Sequence, residues 1–244
     1  MWSVWSEPLD LYVGPSGALV KVGKSDAVEI AHSGDTPPDR RLERLFEDIA
    51  SANLLSVTRS YRLRISLSGA YCPAVAYSVP AQVTRWGEIC EIASATAAAT
   101  DGTSADQVVC EVDTSGRGLA GAVSTMVLRQ FHDWAKLNRC TIVSIQPLWA
   151  NAAQSRIATR SVAAGLLVQD PDATTVLVEQ IDGRFAAATV IRNVGEAEFQ
   201  AKVRRLLVSQ GGGAGEMVRL GFSVQKRTLL QGGPDRMAEH WYEL

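Results

Sequence analysis

From Arg62 to Pro80 the run RLRISLSGAYCPAVAYSVP changes its hydrophobic pattern twice. Leu63, Ile65 and Leu67 alternate with Arg62, Arg64 and Ser66, the two-residue period of a strand with one buried face. Ser68 and Gly69 break that strand, and a second apolar run from Ala74 to Val79 ends at Pro80. Beyond it the spacing becomes helical: Trp86, Ile89, Cys90, Ala93 and Ala97 share one face of a helix predicted over about Thr84 to Ala99. A strand, a break, a strand and a helix mark the place where the chain leaves one lobe for the next.

Upstream, three short runs, Leu9 to Val13, Ala18 to Val22 and Ala27 to Ala31, are separated by Gly14-Pro15-Ser16-Gly17 and Gly23-Lys24-Ser25-Asp26, which predicts an antiparallel meander. Leu42, Leu45, Phe46 and Ile49 then fall at helical spacing, with Arg44 and Asp48 paired on the wet side. Downstream, Val108 to Val112 and Leu119 to Val123 read as a hairpin. Ser124 is placed to cap a helix with Val127, Leu128, Phe131, Trp134 and Ala135 inward, and Thr141 to Ile145 reads as a strand. Trp149 to Arg160 reads as a short helix. Thr174 to Gln180 and Arg184 to Arg192 flank Asp182-Gly183, a strong hairpin signal because a type I′ turn needs positive φ at both central positions. A helix over Glu198 to Val208 and a strand over Met217 to Val224 follow. The opening meander and the Asp182-Gly183 hairpin, each followed by an amphipathic helix, suggest two similar lobes.

Composition narrows the classes. With 46% hydrophobic and 20% charged residues, 244 residues can bury a substantial core, and the formal net charge of -2 does not advertise a nucleic-acid face. The 4 cysteines, Cys72, Cys90, Cys110 and Cys140, are far apart and form no C-x-x-C pair, so they read as small core hydrophobes in a reducing compartment. The start MWSVWSEPLDLYV lacks the pattern of a signal peptide, and no window reaches the roughly 18 apolar residues of a membrane span. A soluble, cytoplasmic chain is expected.

Candidate motifs fare unevenly. GALVKVGKS has five residues between Gly17 and Gly23 where a phosphate-binding loop has four, and it alternates as a strand. The Gly211 to Gly215 run lies between a helix and a strand, the wrong order for aiming a helix N-terminus at an anion. His32, His132 and His240 are scattered, and no Ser-His-acid or H-E-x-x-H pattern supports hydrolysis. Trp2, Trp5, Trp241 and Tyr242 either dock on the core, as large aromatics usually do, or belong to a partner-binding surface.

The β-turn-β LYVGPSGALVKV, the crossing RLRISLSGAYCPAVAYSVP with its helix TRWGEICEIASATAAA, the hairpin VVCEVDTSGRGLAGAVS with its helix, and CTIVSIQPLWANAA together resemble the actin-like cytoplasmic domains of type II secretion GspL and type IV pilus PilM proteins. The likeness runs from about Asp10 to Val224. It implies an α/β fold of mixed sheets, with duplicated actin-like (ribonuclease-H-like) lobes and an inserted subdomain. The implied division is residues 1–74 for the first lobe, 75–138 for the insertion, and 139–244 for the remainder of the first lobe with a reduced second lobe.

The resemblance also carries a departure. Actin-like ATPases have Asp-x-Gly in the first β-turn to organise magnesium, whereas here the triplet is Tyr12-Val13-Gly14; the second hairpin offers only Asp182, which turn chemistry explains. Two functions follow as expectations. One is a non-enzymatic adaptor binding a protein partner, such as the cytoplasmic tail of an inner-membrane assembly protein, in a secretion or pilus-type assembly. Ser68, Gly69, Val75 and Tyr77 would be its partner-binding residues, and the chain would sit peripherally at the inner membrane through that partner. The other is a nucleotide-binding ATPase or phosphotransferase, with Gly14, Ser16 and Gly17 as vestigial contacts to ATP. The adaptor is the favoured expectation, without cofactor or metal. The chain as given ends without a membrane span, as a free-standing relative or a soluble fragment would.

Overall fold

The first meander builds one sheet, with β1 and β2 buried over most of their length. In a computed structural model, which describes residues 6–32, 40–102, 104, 108–112, 118–150, 153, 165–179, 184–192, 194–209, 217–222 and 239–242, strand β1 (Glu7–Gly14) pairs antiparallel with β2 (Gly17–Val22), and β2 with β3 (Val28–Ala31). Strand β4 (Tyr61–Leu67) lies parallel to β1, with Leu9 opposite Leu63. On the polar face of this pair Arg64 clamps the buried Asp10 with two bonds, Nε to Oδ1 at 2.6 Å and Nη2 to Oδ2 at 3.0 Å. The apolar face is covered by helix α1 (Arg41–Ser51), which buries Leu42, Leu45 and Ile49 and sets Arg44 3.4 Å from Asp48 on its outer side.

The crossing stretch leads into a small separate sheet. Strand β5 spans only Val75–Ala76, and the helix α2 follows at Trp86–Asp101. Strands β6 (Val108–Val112) and β7 (Leu119–Ser124) complete the order β5-β7-β6. Ala93, Ala97 and Ala98 of α2 are small enough to let the helix lie close against this sheet, where Tyr77, Ala120 and Ala122 are buried. Gly102, at φ 70°, ends the helix in the left-handed conformation that glycine adopts without steric cost. Trp86, expected on the inner face, stands at the first residue of the helix and is 49% exposed.

Helix α3 (Thr125–Leu137) begins with Ser124, whose Oγ accepts the Met126 N–H at 3.2 Å, as its cap position predicts. Phe131, Trp134 and Ala135 pack into the core of the first sheet, where Phe46 stacks on Trp134 at 4.9 Å. Helix α3 thus packs on the core of the first sheet and also touches β7 of the small one. Strand β8 (Cys140–Pro147) then pairs parallel with β4, giving the order β3-β2-β1-β4-β8.

The second sheet repeats this plan. Its strands are β9 (Gly165–Gln169), β10 (Ala173–Glu179), β11 (Phe185–Arg192), β12 (Met217–Phe222) and β13 (Glu239–Tyr242), in the order β11-β10-β9-β12-β13. β9, β10 and β11 are an antiparallel meander, and β12 and β13 join in parallel. Helix α4 (Glu196–Ser209) buries Phe199 and Val203 against Leu167, Val176 and Ile191. Matched strand for strand, β9 and β10 correspond to β1 and β2. The Asp182-Gly183 hairpin joins β10 to β11, the equivalents of β2 and β3 in the opening meander, so the second lobe's counterpart of the Gly14–Gly17 turn is instead Asp170-Pro171-Asp172. Residues 180–183 themselves lie outside the described set. β9 carries no alternation because Leu166, Leu167 and Val168 are all buried, and a strand covered on both faces loses the two-residue period. The strand expected over Met217 to Val224 is β12, and one more strand, which contains Trp241 and Tyr242, follows it. Trp2, Trp5, Gly211 to Gly215 and most of the helix expected over Trp149 to Arg160 lie outside the described residues.

Candidate functional site

The duplicated topology brings two tight turns face to face: Gly14-Pro15-Ser16-Gly17 between β1 and β2, and Asp170-Pro171-Asp172 between β9 and β10. Asp170 is 4% exposed, and its carboxylate is crowded with donors. Oδ1 accepts from Asp172 N at 2.8 Å, Ala173 N at 2.9 Å and Tyr12 Oη at 3.1 Å. Oδ2 accepts from Gly69 N at 2.9 Å, and the Ser68 hydroxyl lies 3.1 Å from both oxygens. Asp172 reaches the other way. Its Oδ1 accepts the Ser16 N–H at 2.7 Å, and its Oδ2 accepts from Tyr12 Oη at 2.8 Å.

Close approach dictates the glycines here. A Cβ on Gly14 would run into the Asp172 carboxylate, one on Gly17 into the Ile30 carbonyl oxygen, and one on Gly69 into the Thr175 hydroxyl. Behind the first turn, His32 donates its backbone N–H to the Ser16 carbonyl at 2.8 Å, while both its ring nitrogens are buried without a hydrogen-bond partner. Burial, and then the Arg41 charge, push its imidazolium below the ordinary histidine value, against the pull of Asp172 and Asp48.

Burial pushes the Asp170 carboxyl above its ordinary value, with the surrounding N–H and hydroxyl donors pulling it down. Tyr12, 1% exposed, is pushed far above the ordinary tyrosine value, first by burial and then by the charges of Asp170 and Asp172. Because the folded chain keeps this proton where an unfolded tyrosine releases it, the stabilisation is complete below about pH 10 and is lost as pH rises beyond. Urea unfolding at a series of pH values above about 10 is expected to show stability falling more steeply in the native chain than in Tyr12→Phe, by roughly 1.4 kcal/mol per pH unit for one proton. Equal slopes would remove Tyr12 from the junction's proton balance.

Gly14, Ser16 and Gly17 thus come together at the junction of the lobes. Ser68 and Gly69, expected as partner-binding residues, join them there: Ser68 is 0% exposed and Gly69 is buried, both bonded to Asp170. Val75 and Tyr77 lie elsewhere, in the inserted sheet, with Val75 half-buried opposite Ala120 and Tyr77 in that sheet's core. Tyr12, Asp170 and Asp172 escape sequence reasoning. The one signal for the two aspartates is the apolar run Gly165 to Val168 ending in Gln169-Asp170-Pro171-Asp172, a turn sequence at a strand end.

Where the resemblance implies a magnesium nucleotide, these groups already have protein partners. The Ser16 N–H that would meet a phosphate is already bonded to Asp172, and the Asp170 oxygens are taken by protein donors. Among the described residues no group of three or more His, Cys, Asp or Glu side chains is placed to hold a metal ion.

Two openings flank the inserted layer. One, of about 200 Å³, lies between the first lobe and the insertion, lined by Leu67, Cys72, Gly121, Val123, Leu128, His132, Ile145 and Pro147. The other, of about 580 Å³, runs between the insertion and β11, with Tyr77, Pro80, Trp86 and Arg184 among its walls. No helix among the described residues is long and apolar enough to cross a membrane.

By sequence the chain matches no family model and no curated protein. Solved structures are similar to it. A protein of actin-like ATPase fold and unknown function from Bacteroides thetaiotaomicron superposes with a TM-score of 0.58 at 7% identity, over 95% of this chain and 87% of its own. The cytoplasmic domain of EpsL, an inner-membrane component of the Vibrio cholerae type II secretion system, gives 0.55 at 14% identity, over 98% and 91%. PilM in the PilM–PilN type IV pilus biogenesis complex gives 0.56 at 13% identity, over 88% and 81%. The strand-for-strand duplication around two facing turns and these superpositions lead to one conclusion: the chain has the actin-like fold.

Proposed function

We propose that the chain is a non-enzymatic adaptor that holds an apolar segment of a partner protein in a bacterial secretion or pilus-type assembly, at the cytoplasmic side of the inner membrane. The observation that carries this reading is the open cavity of about 200 Å³ between the first lobe and the insertion. Its walls are mostly aliphatic, and it lies beside β8, an edge strand whose Val143 is 48% exposed. An extended peptide can place one apolar side chain in such a cavity while its backbone runs along the sheet edge. The similarity to EpsL and to PilM, the latter solved with a partner, supports the choice of assembly.

Titration calorimetry with synthetic peptides from the cytoplasmic tails of inner-membrane assembly proteins tests this. Binding by the native chain is expected, weakened at least tenfold, or about 1.4 kcal/mol, in Leu128→Lys, which sets a charge in the cavity. Failure of every tail to bind, or binding untouched by Leu128→Lys, overturns the proposal. The nucleotide-dependent enzyme that the fold also suggests has no support in the junction, where protein carboxylates hold the donors a phosphate would need.

A further inference from the structure

We infer that Asp172 is a built-in anion: its carboxylate stands at the β1–β2 turn where the oxygens of a bound phosphate would stand, and it pins the two lobes together. The Ser16 N–H and the Tyr12 hydroxyl converge from the first lobe on one point, and both are met by Asp172 from the second, at 2.7 Å and 2.8 Å. Short bonds to a charged acceptor are about twice as strong as neutral ones, so this pair is a strong tie between residues some 160 positions apart. Gly14 completes the cradle, since any side chain there would occupy the space of the carboxylate.

Asp172 does not choose this pose by itself. Its own N–H is held by Asp170 Oδ1 at 2.8 Å, and Asp170 is anchored to the first lobe through Gly69 and Ser68. The buried carboxylate therefore sets the turn, and the turn aims the second carboxylate at Ser16. Asp172 is only half-buried and Ser16 is exposed, so solvent anions reach the same point. They must compete with a tethered carboxylate whose effective concentration is of millimolar order or higher.

Hydrogen exchange of the Ser16 amide reads this directly, in the native chain, Asp172→Ala and Asp172→Asn, each with and without about 20 mM inorganic phosphate at matched ionic strength. In the native chain the amide is expected to be protected and indifferent to phosphate. In Asp172→Ala it exchanges at least tenfold faster, and phosphate restores protection and raises the melting temperature where chloride does not. Asp172→Asn, which keeps an acceptor of the same shape, falls between and carries the comparison if the alanine variant does not fold. Equal exchange in native and variant chains overturns the inference. So does faster exchange without a phosphate response, or a native chain that gains as much from phosphate as the variants do.

Discussion

Replacing Asp170 by alanine is expected to cost about 3 kcal/mol or more, the largest loss of any polar substitution in the junction. The size follows from what is left behind. The N–H groups of Gly69 and Ala173 lose their acceptor in buried positions and that of Asp172 in a half-buried one, and each orphaned buried donor costs about 1–3 kcal/mol. Removing a buried charge also relieves its desolvation, which burial shows as a raised carboxyl pKa, so the net falls short of the sum. The Ser68 hydroxyl can rotate to another partner, and Tyr12 keeps Asp172, so neither adds much. Asp170→Asn retains one acceptor oxygen but turns an amide toward donors, and is expected to lose about half as much. Urea denaturation of the three chains checks the order. A loss below about 1 kcal/mol for Asp170→Ala would mean that the junction does not hold the lobes.

Trp149→Ala is expected to be comparably severe, at about 3–5 kcal/mol, for a reason of packing. Trp149 is 1% exposed, and it lies where β8, the crossing stretch and the insertion meet. Its Nε1 donates to the Cys72 carbonyl at 2.7 Å, and its ring presses on Gly121 so closely that a Cβ there would stand 2.7 Å from Cζ2. Truncation opens a large void and removes the bond to the Cys72 carbonyl; Trp149→Phe keeps most of the volume and is expected to cost about half as much. Because Cys72 and Gly121 also line the cavity of the proposed partner site, exchange protection in β7 should fall together with global stability. Unchanged protection in β7 would show that the insertion is held by other contacts.

The elements were legible because each reports on its own burial. Leu63, Ile65 and Leu67 reveal β4 by their period, Leu42, Leu45 and Ile49 reveal α1, and Ser124 marks the start of α3. The actin-like order of elements was likewise visible in LYVGPSGALVKV and the crossing stretch. The second lobe's first turn escapes the pattern because Asp-Gly is a louder turn signal than Asp-Pro-Asp, and a fully buried β9 gives no alternation to announce itself. Ser68-Gly69 reads only as a strand break, and such a break looks alike whether solvent or a carboxylate fills it.

What the sequence by itself determined was therefore local: strands, helices, caps, and the absence of an acidic residue at position 12. What only the tertiary structure decided was who meets whom. Tyr12 and Ser16 find Asp172 across some 160 residues, and Ser68 and Gly69 find Asp170 across about 100. Side-chain periodicity records which face is buried but carries no address for the partner on the far side of the core. Strand order supplies that address, when two equivalent sheets set their first turns against each other.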